Sequence, residues 1–345
     1  MRNLKYPEFI KKGDLIGICA PSDGNSEELD FVRLDNGKKN LEELGYKLIE
    51  TDHVRNSNRG RSADAKTRAS EVMELISNDD VKLIVSASGG DYLLETLPYI
   101  DFKKISSKPK WFQGYSDNTG LVHTITTMCD QATVYGNNFK DFGMGNWHKS
   151  LKSNISILQG EENVQESFDT YQDGFYERLT GLEDYVLTKP VNWHNINRDG
   201  EVLIKGRTIG GCLDVLISLV GTRFDKTKEF AEKYKDDGIL WYMESFALTA
   251  ESLTLALWQL KEAGWFRYAK GFVFGRPTFY DEKASKNGTY EEVVMSVLGD
   301  MDLPIILDAD IGHKPPQFSM INGGLGTLCS KDGKAKLTYE YFFEV

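Results

Sequence analysis

From Asp14 to about Gln159, short and almost unbroken apolar runs alternate with amphipathic stretches of helical length, the rhythm of a parallel sheet covered by helices. Leu15-Ile16-Gly17-Ile18-Cys19 reads as a buried first strand, followed by a turn at Pro21-Ser22-Asp23-Gly24. A helix is expected over Glu27 to Leu44, closed by Gly45, and then a strand Tyr46 to Glu50 and a helix Asp64 to Ile76. A strand Val81 to Val85 runs into Ser88-Gly89-Gly90-Asp91, and Lys110 to Tyr115 is read as a strand before a helix Asn118 to Met128. Residues 1–160 are therefore expected to form a doubly wound α/β domain, whose ligands bind beyond the carboxyl ends of the strands.

Over residues 161–199 the periodicity lapses, and Asn, Asp, Gly and Pro scatter among Tyr171, Tyr185 and Trp193, as in a connection between domains. A second unit is expected over 200–345. It has strands near Val202 to Lys205, Ile239 to Met243, Phe272 to Phe274, Ile305 to Leu307 and Lys336 to Tyr341. Helices are expected after Gly210-Gly211 and over Thr249 to Ala263, the latter with a Thr cap. The 345 residues suit two domains, and 40% apolar residues suffice for buried cores.

A formal net charge of −11 argues against nucleic acid as a partner, since phosphate backbones are met by basic faces. Cys19, Cys129, Cys212 and Cys329 stand far apart without a CxxC pair, which fits a reducing compartment. Met1 to Lys12 lacks the apolar core of a secretory signal, and the most apolar stretch, Cys212 to Val220, is interrupted by Asp214 and too short to span a bilayer. A cytoplasmic protein with no membrane partner is expected.

Gly114-Tyr115-Ser116-Asp117-Asn118-Thr119 lies where a strand must turn sharply into a helix, as in a nucleophile elbow that lifts a serine hydroxyl above a sheet. Asn118 departs from the small residue usual two positions after the serine, and a Ser at a helix start also serves as a plain cap. Gly89-Gly90 lets a backbone amide approach a substrate oxygen, although an ordinary strand-to-helix turn reads the same way. A serine nucleophile requires a base. Of the five histidines, His123 falls inside a helix beside apolar neighbours, and His53, His148 and His194 sit in polar stretches. His313 differs: it follows a strongly apolar strand in a loop rich in Gly and Pro, where catalytic residues concentrate. Asp308, Asp310 and His313 also admit a metal reading, without any fixed ligand spacing behind it. Glu244 ends a near-continuous apolar run, where a charge needs a partner: the histidine, a salt bridge or a helix end.

The order Ser116, Glu244, His313 and its surroundings resemble the LD-carboxypeptidase family of serine peptidases. The resemblance runs through Gly13-Asp14-x-Ile16, Gly89-Gly90-Asp91, Leu97-Pro98-Tyr99-Ile100-Asp101, Gly114-Tyr115-Ser116-Asp117 and Gly206-Arg207-x-Ile209-Gly210-Gly211 to Glu244 and His313. Gly89-Gly90-Asp91 and the long connection with Asn192-Trp193 look more like its microcin C immunity branch than its cell-wall branch. The resemblance implies an N-terminal domain like that of class I glutamine amidotransferases, a C-terminal swivelling β/α domain, a homodimer, and no metal or other cofactor. It implies Ser116 as nucleophile, His313 as general base, Glu244 as its orienter, the amides of Gly90 and Asp117 as oxyanion hole, and Gly89, Asp91 and Trp193 as substrate-binding residues. Trp193 would stack on the nucleobase of a peptidyl- or aminoacyl-nucleotide.

Two departures bear on the substrate. Ser245-Phe246-Ala247 stands where the immunity branch often reads Asp-Ser-Arg, and Ile321-Asn322-Gly323-Gly324 replaces a Pro-hydrophobic-Gly turn. The expected function is a serine amidase acting on a nucleotide-linked peptide of the microcin type. Its rivals are hydrolysis of the LD-bond of a murein tetrapeptide and a non-catalytic binding homologue. A glutamine amidotransferase is disfavoured because none of the four cysteines occupies an elbow.

Overall fold

The computed structural model describes residues 4–281, 286 and 288–341, so residues 1–3 of the N-terminal stretch read above lie outside it. The first sheet has six strands in the order Met320–Asn322, Thr133–Tyr135, Trp111–Gln113, Val81–Ser86, Leu15–Cys19, Lys47–Glu50. All neighbours run parallel except Met320–Asn322, which is antiparallel to Thr133–Tyr135. The central strands are buried along nearly their whole length, as their continuous apolar runs require. The helix expected over Asp64 to Ile76 runs over Ala65–Ser77, with Asp64 as its cap, the carboxylate accepting the N–H groups of Lys66 and Thr67.

The second sheet is mixed, with eight strands in the order Val164–Glu166, Lys334–Glu340, Leu325–Lys331, Val202–Cys212, Ile239–Glu244, Ala269–Gly275, Ile305–Ala309, His194–Asn195. The four strands from Val202–Cys212 to Ile305–Ala309 are parallel, and antiparallel strands extend them, three on one side and one on the other. The strand expected over Val202 to Lys205 runs on to Cys212. Gly210 reads locally as a turn signal, but a Cβ there would lie 1.6 Å from the Tyr242 carbonyl oxygen; the glycine serves close strand pairing.

Segment 161–199 is not only a connection. It supplies both edge strands of the second sheet and a small pair, Thr170–Tyr171 with Lys189–Pro190. Met320–Asn322, although late in the chain, crosses to the first sheet. Such two- and three-residue strands carry too few side chains for periodicity to reveal them.

The two sheets meet through the helix Thr119–Cys129, which follows the expected elbow. Thr119 Oγ1 accepts the Cys212 N–H at 2.9 Å, and Cys212 is the register partner of Glu244. One helix start thus sets the first sheet against the carboxyl end of a strand in the second.

Candidate active site

Ser116 follows the strand Trp111–Gln113 and opens the 3-10 turn Ser116–Asn118 that leads into the helix. Its φ is +65°, a left-handed conformation that costs a non-glycine residue on the order of 1–3 kcal/mol and persists only where the surroundings over-determine it. They do so here. The Ser116 N–H donates to the Tyr135 hydroxyl at 3.2 Å, and Asn118 Nδ2 donates to the carbonyls of Ser88 and Tyr115 and to Asn138 Oδ1. The Asp117 carboxylate accepts from Ser22 Oγ and from the Leu93 N–H. Asn118, a departure in sequence, therefore fastens the elbow to the neighbouring strand ends.

Gly89 passes so close to the elbow that a Cβ would lie 3.0 Å from Ser116 Oγ. Gly89, Gly90, Asp91, Ser116 and His313 share the wall of a cleft of about 570 Å³, with Asp91 exposed to it. Of the two sequence-predicted oxyanion donors, Gly90 thus lines the same space as the Ser116 hydroxyl, whereas Asp117 is buried.

Glu244 ends the strand Ile239–Glu244 with 0% exposure. A lone buried carboxylate is costly, and this one is fully partnered. Oε2 lies 3.0 Å from His313 Nδ1 and Oε1 accepts the Tyr135 O–H at 2.7 Å. Burial pushes the carboxyl up, but His313 and the hydrogen bonds from His313, Tyr135 and Cys212 outweigh it and hold Glu244 below the ordinary glutamate value. An ionised Glu244 only accepts, so Nδ1 carries the imidazole proton and Nε2 is left to accept from Ser116 Oγ, 2.9 Å away. Gly312, before the histidine, has φ +96°, and a Cβ there would lie 2.7 Å from Glu244 Cγ. Glycine is what lets the loop bring His313 onto the carboxylate.

The other histidines lie elsewhere. His123 is buried, hydrogen-bonded to Thr227 and stacked on Trp265, and burial pushes it down to about 4, a neutral core residue. His53 pairs with Glu71, His148 caps Lys149–Leu158, and His194 approaches Glu291. Asp308, Asp310 and His313 do not converge as ligands. Asp310 Oδ1 accepts from the Arg276 guanidinium at 2.6 Å and Oδ2 from the Trp193 indole N–H and the Phe168 N–H, each at 3.0 Å, and no ligand cluster of three is found among the described residues.

The same network holds Trp193, which the resemblance assigns to substrate stacking. Trp193 is 2% exposed, with its indole N–H on Asp310 and its ring against Phe318, so it offers a nucleobase no face in this structure. Asn322 likewise sits between the sheets, accepting the Tyr242 hydroxyl at 2.7 Å. The Arg276–Asp310 pair ties the segment bearing Phe168 and Trp193 to the loop of His313. Arg276→Met leaves Asp310 buried without its cation, and the free energy of unfolding in urea is expected to fall by about 3–5 kcal/mol.

Sequence reading missed two features. Tyr135, at the end of a three-residue strand, reads only as core. Phe175 lines the cleft at 62% exposure and packs with Phe246 and Phe279, while Phe246 lies 4.6 Å from the His313 ring. Phe246 alone had a signal, as a departure. The Asp214 carboxylate accepts the N–H groups of Phe246 and Ala247, fixing that turn beside the histidine.

Comparison with known proteins agrees with this architecture. The LD-carboxypeptidase N-terminal domain matches residues 16–136 and the LD-carboxypeptidase C-terminal domain residues 205–328. The microcin C7 self-immunity protein MccF of Escherichia coli is 27% identical over 318 residues, 89% of this chain and 88% of its own. The probable murein peptide carboxypeptidase of Bacillus subtilis is 26% identical over 329 residues, 94% and 92% of the two chains. The solved structure of MccF in complex with aspartyl sulfamoyl adenosine superposes with a TM-score of 0.79 at 25% identity, over 99% of this chain and all of that one. It shares the two-domain α/β fold with a mainly parallel first sheet and a mixed second sheet. The chain belongs to the LD-carboxypeptidase family of hydrolases.

Proposed function

We propose that the protein is a serine amidase in which Ser116 attacks a carbonyl while His313 Nε2 takes its proton and then passes it to the leaving group. Glu244 holds Nδ1 and stabilises the imidazolium; the amides of Gly90 and Asp117 receive the oxyanion, and water hydrolyses the acyl-enzyme. The observation that carries this reading is the hydrogen-bonded line Ser116 Oγ, His313, Glu244, assembled across two sheets from strand ends far apart in sequence.

Within this reading the preferred substrate is a peptidyl- or aminoacyl-nucleotide of the microcin type, and the function detoxification. Relatives with either substrate are equally distant in sequence, so the support comes from the cleft. With Trp193 buried, the exposed ring of Phe175 takes over the part of a stacking surface, beside Phe246 and Phe279. Asp91 offers a carboxylate to a cationic group of the substrate. Stacking of a base on an aromatic side chain is worth about 1–3 kcal/mol, so Phe175→Ala is expected to raise KM for an aminoacyl-adenylate analogue about tenfold and to leave a base-free peptide unaffected. Hydrolysis of that analogue is to be compared with hydrolysis of murein tetrapeptide, with Ser116→Ala as blank. Turnover of the tetrapeptide alone would move the protein to the murein-peptide reading.

A homodimer in a reducing, cytoplasmic compartment completes the proposal. Leu255 and Trp258, exposed on helix Ala250–Glu262, supply apolar surface for a second copy, and the four cysteines are unpaired. No helix among the described residues is long and apolar enough to cross a membrane. Sedimentation velocity tests the dimer.

A further inference from the structure

We propose that Tyr135 is a positioning residue that couples the elbow to the acid of the triad, one hydroxyl fixing both the backbone of Ser116 and the carboxylate of Glu244. The inference rests on the triad reading above and extends it to a residue that touches neither substrate nor the reacting oxygen.

Tyr135 is fully buried at the end of Thr133–Tyr135, which pairs with Trp111–Gln113 on one side and Met320–Asn322 on the other. Its O–H donates to Glu244 Oε1 at 2.7 Å, and the same oxygen accepts the Ser116 N–H at 3.2 Å. Both directions are fixed by chemistry, because a carboxylate only accepts and a backbone N–H only donates. The rings of Tyr115 and Tyr242 pack against the phenol at 6.3 and 5.7 Å and hold it in place.

Three consequences follow from one oxygen. The Ser116 amide is committed to Tyr135, which supports the left-handed backbone and leaves the oxyanion to other amides. Glu244 Oε1 is committed as well, so Oε2 alone is presented to His313. Tyr135 stands on the first sheet and Glu244 on the second, so the hydroxyl sets their relative position at the reacting centre. Besides His313 and Tyr135, the titratable groups acting on Glu244 are Cys212, Tyr115 and Tyr290; burial keeps the phenol of Tyr135 protonated well above pH 10.

Tyr135→Phe keeps the ring and removes only the oxygen. The expected result is a fall in kcat of about ten- to a hundredfold with KM little changed. The acid limb of kcat against pH should also move upward, because Glu244, relieved of one donor, favours the imidazolium more strongly. A residue that merely packed would lower thermal stability without moving that limb. A variant with wild-type kcat and an unmoved limb overturns the inference. Should Tyr135→Phe not fold, Tyr135→3-fluorotyrosine keeps the hydroxyl and strengthens its donation; the limb should then move downward, and an unmoved limb overturns the coupling. Ser116→Ala separates the two levels. If it stays active, the triad reading fails and this inference with it; if it is inactive while Tyr135→Phe behaves as wild type, the coupling alone is wrong.

Discussion

Ser116→Ala is expected to lower kcat by about a millionfold, to the residue of activity that oxyanion donors and binding alone provide. It should also abolish labelling by a serine-directed fluorophosphonate. Intact mass should show one adduct on the wild type and none on the variant. Selectivity among the serines comes from geometry, since the Ser116 hydroxyl has an imidazole acceptor at 2.9 Å and opens on the cleft. The substitution removes one oxygen and leaves the ties of Asp117 and Asn118, so circular dichroism should match the wild type. No adduct on the wild type, together with no hydrolysis of either substrate class, would leave the non-catalytic binding homologue as the better reading.

Glu244→Gln has the next largest expected effect, a loss of about 10⁴-fold in kcat. The two oxygens of Glu244 face different donors, Oε1 the Tyr135 O–H and Oε2 the His313 Nδ1–H. A glutamine has one accepting oxygen and one donating nitrogen, so only one donor can be kept. Keeping Tyr135 puts an N–H against Nδ1 and moves the imidazole proton to Nε2, which then cannot accept from Ser116. A pH-dependent stability should disappear with the carboxylate. Because the folded protein holds Glu244 below its ordinary value, the stabilisation is complete above the unfolded pKa and is lost as pH falls through the folded one. Chemical denaturation from neutral to acid pH should therefore give a shallower loss for Glu244→Gln than for the wild type. Equal slopes would show that the carboxylate contributes no such stability.

Ser116, Glu244 and His313, which the structure joins by hydrogen bonds, were legible in sequence because each carries a local signature. Ser116 stands at a strand-to-helix turn, Glu244 is a charge at the end of an apolar strand, and His313 lies in a glycine-bearing loop after another. Such signals survive in one dimension because burying a charge or bending a chain sharply constrains the neighbouring residues. The long central strands were legible for the same reason, since both faces are buried. Trp193 owed its expected role to the family resemblance, which carries a motif but not its packing, and nothing nearby in sequence announces that Asp310, 117 positions later, accepts its indole proton. Tyr135 shows the opposite failure, a residue reading as ordinary core whose hydroxyl lies between the elbow and the acid.

What the sequence by itself determined is therefore the class of fold, the chemical groups and the strand ends that carry them. It determined these because periodicity, turn chemistry and isolated buried charge are properties of neighbouring residues. What only the tertiary structure decided is which side chains share a space. It placed Trp193 in the core and Phe175 in the cleft, sent Met320–Asn322 to the first sheet, and joined Ser116 to Glu244 through Tyr135. Those choices depend on contacts between separate elements of the chain, such as Tyr135 with Glu244 and Trp193 with Asp310, where burial and hydrogen-bond satisfaction are settled by the packing of two sheets and no local pattern records the outcome.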